Sequence, residues 1–340
     1  MRSRHLPVIV LLCLLAGAAA AQSYLPPYRD PALPVEARVE DLLARMTLEE
    51  KLNQIRSDNR DEVWKIAAAT TGFGEVYDIL RPLSPRDAAE LTNRTQRLAR
   101  RSRLRIPIII RDEALHGLVA NGATSFPQSI ALAATWDPEL VGRVASAIAR
   151  ECRVRGVRRV LSPVINVTRD ARWGRVEETY GEDPLLTSRI AVAYVRALEQ
   201  QGVATCPKHF VANVGDGGRD SHAIHMTEQE LREVYLAPFE AVVREGGARS
   251  IMTAYNSVNG RACSANRWLL RDLLKGEWEF TGVVGSDYGA ASGVLHAHRN
   301  TGSEMETAAA DLNAGLDIEW PNVYIWGQPL EEALAKGLTS

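Results

Sequence analysis

The stretch Gly282-Val283-Val284-Gly285-Ser286-Asp287-Tyr288-Gly289-Ala290 (GVVGSDYGA) reads as a buried β-strand that ends on a carboxylate. Small apolar residues lead into Ser286 and Asp287, and an aromatic and two small residues follow. Asp directly after a strand has two uses. The commoner is to cap the next helix with its side-chain oxygen; the other is chemistry at the strand's carboxyl end. Which one holds depends on the fold around it.

Working outward, seven more short apolar runs accompany Gly282–Asp287: Phe73–Tyr77, Ile106–Ile110, Ile130–Ala134, Val160–Val167, Val203–Lys208, Ser250–Tyr255 and Gly315–Glu319. Between them lie amphipathic segments with helix start signals. Ser84-Pro85 precedes Arg86–Arg101, Asp137-Pro138 precedes Glu139–Arg155, and Asp183-Pro184 precedes Leu185–Gln200. Thr227 and Glu230 form a capping box before Leu231–Arg244, and a last helix starts at Pro329–Lys336, where the chain stops. Apolar runs alternating with helices indicate a parallel sheet buried on both faces. Eight of them predict an α/β fold of the (β/α)8 TIM-like barrel type, incomplete at its C-terminal end. A doubly wound sheet would show a glycine-rich phosphate turn early on, and no G-x-G-x-x-G follows the first strands.

The chain has 340 residues, of which 46% are hydrophobic and 24% charged, with 40 basic against 42 acidic side chains and a net charge of -2. No basic run or aromatic-basic stripe is present, which argues against a nucleic-acid partner. Residues 1–21 have the build of a secretory signal peptide: Arg2 and Arg4, an apolar core from Leu6 to Leu15, and a small-residue cleavage site at Ala18–Ala21. The expected product is a secreted or periplasmic domain over 22–340, with no other segment suited to cross a membrane. Cys152, Cys206 and Cys263 then remain; they do not form a disulfide framework, and no pair has metal-ligand spacing. One disulfide is compatible with export, and the sequence does not choose its pair. It also leaves the oligomeric state open.

In such a barrel the carboxyl ends of the strands face the active site. Here they carry Arg111-Asp112-Glu113 through His116, Arg169 through Arg175, Lys208-His209, Tyr255-Asn256 and Ser286-Asp287-Tyr288. Carboxylates, cations and an imidazole converging with aromatics on one rim suit a polyol ligand. Each has a plainer use: Asp287 as a cap, Lys208 and His209 as ion-pair members, Trp173 as core, His116 as a partner of a turn carbonyl.

The residues that carry this rim also carry a resemblance. The stretches EALHG (113–117), GATSFPQSIALAATWDPELV (122–141), RDARWGRVEETYGEDP (169–184), CPKHFVAN (206–213), MTAYNSVNG (252–260), LLKGEWEFTGVVGSDYGA (273–290) and LNAGLDIEW (312–320) occur in order. From about Val35 onward the chain resembles the N-terminal catalytic barrel of family 3 glycoside hydrolases, the β-glucosidase and β-xylosidase group. The resemblance implies that Asp287 is the nucleophile that forms a covalent glycosyl-enzyme with retention of configuration. It implies that Arg175, Lys208 and His209 hold the terminal sugar, that Tyr255 stands beside the nucleophile, and that Glu113 fixes hydroxyls at the far edge. Lys208 and Arg175 are expected to favour the charged form of Asp287. The substrate is a β-glycoside or oligosaccharide, and no metal or organic cofactor is called for.

Two positions depart from the family pattern. Tyr288 stands where relatives usually carry Trp, keeping an aromatic wall. Glu113 stands where many glucosidases of the family carry Asp, which tilts the reading slightly towards a pentose-accepting pocket. In long members of the family the acid/base is a Glu in a second domain after the barrel, so the expected chain is either a fragment or takes its acid from elsewhere. Two alternatives stand beside the hydrolase: a sugar-binding protein without turnover, and a β-N-acetylglucosaminidase using His222 of Asp220-Ser221-His222 as acid/base.

Overall fold

The computed structural model describes residues 25–214 and 221–340; the expected signal peptide and Asp220 lie outside them. The chain divides into two compact units, one ending at Lys51 and the other running over Leu52–Ser340. The first holds the helix Val35–Arg45, in which Arg45 is bound bidentately by Asp41, one turn earlier. Thr47 and Glu50 then close a reciprocal capping box: Thr47 Oγ1 accepts from the Glu50 N–H and the Glu50 carboxylate from the Thr47 N–H.

The second unit is built on short parallel strands: β1 (Glu75–Tyr77), β2 (Ile109–Asp112), β3 (Arg159–Val160), β4 (Ala204–Thr205), β5 (Ser250–Met252) and β6 (Val283–Gly285). Val76 lies opposite Ile110, Asp112 opposite Val160, and Val160 opposite Thr205. Beyond β4 the chain pairs on, Lys208 with Val164 and Phe210 with Thr253, and Ile251 of β5 lies opposite Val284 of β6. Single parallel bridges add Ser57 beside Glu75 at one end and Ile318 beside Gly285 at the other. The order along this row is the order in the sequence.

The expected α/β architecture with parallel strands is therefore present, with four differences. Among the described residues no backbone pairing joins the Ile318 segment to the Ser57 segment, so the sheet is not closed into the expected barrel. The run Ile130–Ala134 is not a strand but the helix Ser129–Ala133; three alanines in five positions favour a helical turn, and the run is too short for periodicity to decide. A segment not expected as strand, around Ser57, takes a place in the row instead. The second strand begins at Ile109 rather than Ile106; Pro107 has no N–H to give the ladder.

The helices start where their caps predict. Ser84, Asp137, Asp183 and Thr227 accept from the N–H groups of Asp87, Leu140, Leu186 and Glu230. The last expected helix is found at Gln328–Ala335. Helices such as Pro138–Arg155 and Pro184–Glu199 bury one face against the outward side chains of the strands, where Val160, Ile251 and Val284 join the main core. The inward side chains form a separate small cluster of Leu161, Cys206, Met252, Ile318 and Trp320. Cys152, Cys206 and Cys263 are all buried free thiols.

Beside Trp320 sits a buried charged group. Glu75 pairs with Arg159 and with Arg111, the latter at 3.3 Å, and accepts the Trp320 indole N–H at 2.9 Å. Gly285 makes room for that indole: a Cβ there would lie 2.3 Å from Trp320 Cζ3. Gly285→Ala should lower the stability of the folded chain by about 1–3 kcal/mol through overpacking, seen as a lower urea midpoint with an unchanged slope.

Candidate active site

Asp287 lies two residues beyond β6 and is 6% exposed. It does not cap the following helix, Ala290–His296, whose N-cap is Gly289 with no side-chain bond. Its Oδ1 accepts the Tyr288 N–H at 2.7 Å, and its Oδ2 stands 3.5 Å from His209 Nε2.

His209 is held in one orientation. Asn166, in the chain that continues β3, accepts from both the His209 backbone N–H (2.8 Å) and Nδ1 (2.9 Å) and donates its amide to the His209 carbonyl (3.0 Å). The backbone donor fixes which way the Asn166 amide points, so Nδ1 carries a hydrogen. In the neutral ring Nε2 is then the bare nitrogen, facing Asp287. Next to it, Lys208 Nζ donates to both oxygens of Glu113, at 3.2 and 3.0 Å. Arg175 is clamped bidentately by Glu178, at 2.8 and 2.7 Å. Lys208 is 4% and Arg175 7% exposed, so both cations are largely withdrawn from water.

The aromatic side of the site depends on Arg111. Its Nη1 donates to the Tyr288 hydroxyl at 2.7 Å, and its guanidinium lies 4.7 Å from the Tyr77 ring centre and 5.5 Å from that of Tyr288. Tyr77 and Tyr288 pack at 6.0 Å as a tilted pair. The expected aromatic wall is thus there, with a hydroxyl that Trp would lack.

Burial raises the Asp287 carboxyl to about 6, against the downward pull of Lys208, the Tyr288 N–H, Arg175 and the Tyr255 hydroxyl. Lys208 and Arg175 favour the charged form, as expected, but desolvation outweighs them. Asp112, anchored by Arg81 at 2.7 Å, is raised to about 6 for the same reason.

The structure thus brings Asp287, His209, Lys208, Glu113, Arg175, Tyr255 and Tyr288 to the carboxyl ends of the strands. It leaves out two others. His116 Nδ1 meets the Phe126 carbonyl at 3.0 Å, in the turn that Gly117 permits. His222 is exposed and makes no hydrogen bond or ion pair with Asp287 among the described residues. Trp173 is buried. Asn166, Glu178 and Tyr77 belong to the site and were not singled out in the sequence, and Arg111 was placed on the rim without a role. A cavity at the opposite, amino ends of the strands, lined by Arg159, Arg249, Trp278 and Phe280, contains none of the converging groups.

The raised carboxyl has a cost with a definite sign. Because the folded Asp287 holds its proton up to about pH 6 while the unfolded chain releases it near pH 4, ionising it works against the fold as pH rises between the two. Asp287→Asn should match the parent chain in stability below about pH 4 and exceed it by up to about 2–3 kcal/mol above pH 6. Urea denaturation at a series of pH values measures the difference.

Residues 47–339 match the profile described as the glycosyl hydrolase family 3 N terminal domain. The chain is 40% identical over 224 residues to a β-glucosidase of Rhizobium radiobacter, covering 65% of this chain and 26% of that protein. It is 40% identical over 245 residues to a β-xylosidase of Formosa agariphila, covering 68% of this chain and 34% of that one. Among solved structures, a β-glucosidase of Erythrobacter marinus superposes with a TM-score of 0.87 at 34% identity, over 93% of this chain and 44% of the other. The chain therefore spans about a quarter to a half of the length of these relatives. A profile match over most of its length makes this chain a member of glycosyl hydrolase family 3, in the family's N-terminal domain.

Proposed function

We propose that the chain provides the nucleophilic half of a retaining exo-β-glycosidase acting on terminal β-D-glucosyl or β-D-xylosyl residues. The observation that carries this reading is the buried Asp287 with one oxygen turned to His209 Nε2 at 3.5 Å, among Lys208, Glu113 and Arg175. Asp287 attacks the anomeric carbon and forms the glycosyl-enzyme; water later releases the sugar with its configuration kept. Approach of the sugar brings cationic charge to the carboxylate as the ring takes on oxocarbenium character, which favours the ionised form when it is needed.

The bound hydroxyls have matched partners. His209 Nε2, bare in the neutral ring, accepts from a sugar hydroxyl, while Lys208 donates and Glu113 accepts at the far edge. Glu113 reaches further than Asp would, which favours a sugar without a hydroxymethyl arm. Tyr288 and Tyr77 give the ring an apolar face. Retention also needs a second carboxyl group, about 5–5.5 Å from the first, as acid/base; Asp287 does not fill that role, and the exposed His222 is not adopted for it. The parallel row of strands is read as the wall of the family's eight-stranded barrel, and residues 1–21 as the signal that exports the domain.

A 2-deoxy-2-fluoro glycoside with a dinitrophenolate leaving group tests the nucleophile without demanding an acid. The glucoside or xyloside should label Asp287, located by peptide mass, and the rate should fall about tenfold per pH unit well below pH 6. Asp287→Asn should not be labelled. A folded parent chain that takes no label, or takes it elsewhere, contradicts the assignment and leaves sugar binding without turnover as the better reading.

A further inference from the structure

The arginines are unevenly spread along the chain. Between Leu91 and Ile110 the sequence holds six of them, Arg94, Arg97, Arg100, Arg101, Arg103 and Arg105, and no acidic residue. This is a basic run that the balanced net charge conceals, and it corrects the expectation of none. The fold brings Arg158 to the same place. In the pair Arg158-Arg159 that leads into β3, strand alternation sends Arg159 inward to Glu75 and leaves Arg158 exposed on the other side. Arg100, Arg105 and Arg158 line a cavity of about 420 Å3 at the amino ends of β2 and β3, the end away from Glu113, and among the described residues no carboxylate lines it.

The backbone holds all three in place. Arg100 closes the helix Pro85–Ala99, its N–H on the Gln96 carbonyl. Arg105 has φ +57, which Gly or Asn adopts more readily, and its N–H donates to Ser102 Oγ at 3.1 Å. Arg158 gives its N–H to the Ile110 carbonyl and accepts the Ala204 N–H, both at 2.8 Å. Gln96 ties the helix to the chain before β2: its amide donates to the Ile108 carbonyl at 2.8 Å and accepts the Ile108 N–H at 3.2 Å. Yet among the described residues none of the three guanidinium groups makes a hydrogen bond or ion pair. Surface arginines elsewhere do: Arg232 with Glu228 and Glu277, Arg244 with Glu240, and Arg86 with Glu90. A helix C-terminus favours one cation, Arg100, and does not account for the other two.

Three unpaired guanidinium groups around one cavity repel one another until an anion enters, and their planar forks match a group with two equivalent oxygens. We propose that Arg100, Arg105 and Arg158 bind the carboxylate of a uronic-acid unit in an acidic polysaccharide, at a site separate from that of Asp287. The cavity lies in the size range of small-molecule sites, with room for a pyranose ring beyond its carboxylate. The exposed Arg94, Arg97 and Arg101 carry positive charge onward from it, which suits a polymer with a charge on successive units. The choice of a sugar acid among anions rests on the chain's membership of a glycoside hydrolase family; the site does not depend on Asp287 being a nucleophile. Because Glu113 and Asp287 lie at the other ends of the strands, a chain anchored here keeps its candidate active site free and concentrated along the polymer.

The test is calorimetric titration of the whole chain with oligogalacturonate and with its fully methyl-esterified form. The acid should bind and the ester should not, and binding should weaken as NaCl is raised from about 50 to about 300 mM. Arg100→Gln combined with Arg158→Gln should weaken binding about tenfold or more, and Lys at the same two positions, which keeps the charge but not the fork, should restore only part of it. Both double variants should melt as the parent does and label at Asp287 at the parent's rate, so failure of this site is distinguishable from failure of the functional reading. Equal binding of acid and ester, or a double Gln variant that binds as the parent does, overturns the site. Tighter binding of single-stranded DNA, or of vesicles containing anionic lipid, than of oligogalacturonate overturns the sugar acid as its ligand.

Discussion

Glu75 is a carboxylate removed from water on β1, near the start of the strand row, and the site above it depends on how that charge is satisfied. Left alone it would be costly to bury. Arg159 of β3, Arg111 of β2 and the Trp320 indole N–H converge on it instead. These partners come from the two strands β2 and β3 and from the segment after Ile318, so one anion ties the start of the row to its end, where no backbone pairing among the described residues does. Its second consequence is that Arg111 has a fixed place. With its Nε turned to Glu75, Arg111 can offer Nη1 to Tyr288 and its face to Tyr77, and the aromatic wall inherits the rigidity of the buried pair.

The same logic sets His209 beside Asp287. Asn166 accepts twice from His209 and donates once to it, which leaves the ring no freedom in tautomer or rotation. The imidazole can therefore offer a lone pair towards the carboxylate while neutral, or an N–H once protonated, and a sugar hydroxyl between the two is served either way. Cations set by their own acidic partners, Lys208 by Glu113 and Arg175 by Glu178, add positive potential at Asp287.

Much of this was legible in the sequence because it rests on local patterns. Alternating apolar runs and capped helices gave the parallel α/β order, and the polar residues directly after those runs gave Glu113, Lys208, His209, Tyr255 and Asp287. What escaped lies where the pattern is locally ambiguous or set by distant contacts. The run Ile130–Ala134 has strand-like hydrophobicity but helix-forming alanines, and Ser57 joins the row through a bridge no periodicity marks. Asn166 in VINV, Glu75 in GEVY and Arg111 after Ile108–Ile110 did carry a signal: a polar side chain inside or at the end of an apolar run must find a partner when buried. Which partner it finds is a property of the fold. The net shift of Asp287 was not legible for a related reason, since charges can be counted in a sequence but desolvation requires knowing how deeply the group is buried.

Four buried carboxylates show what separates structure from chemistry here. Glu75 is met by two guanidinium groups and an indole, and Glu319 by three backbone N–H groups; each is committed to holding chain segments together. Among the described residues Asp311 has no hydrogen-bond partner at either oxygen, and burial raises its carboxyl well above the usual carboxylate range. Asp287 falls between these cases. One oxygen is occupied by the Tyr288 N–H, the other faces an imidazole beyond normal hydrogen-bond length, and the group titrates near 6, within reach of ionisation at neutral pH. A carboxylate fully bonded by its own chain is a poor nucleophile, and one buried without charges nearby stays protonated. Asp287 is placed so that its ionised form is available yet not fully satisfied by the protein, which is the condition under which a carboxylate gains by bonding to an incoming electrophile.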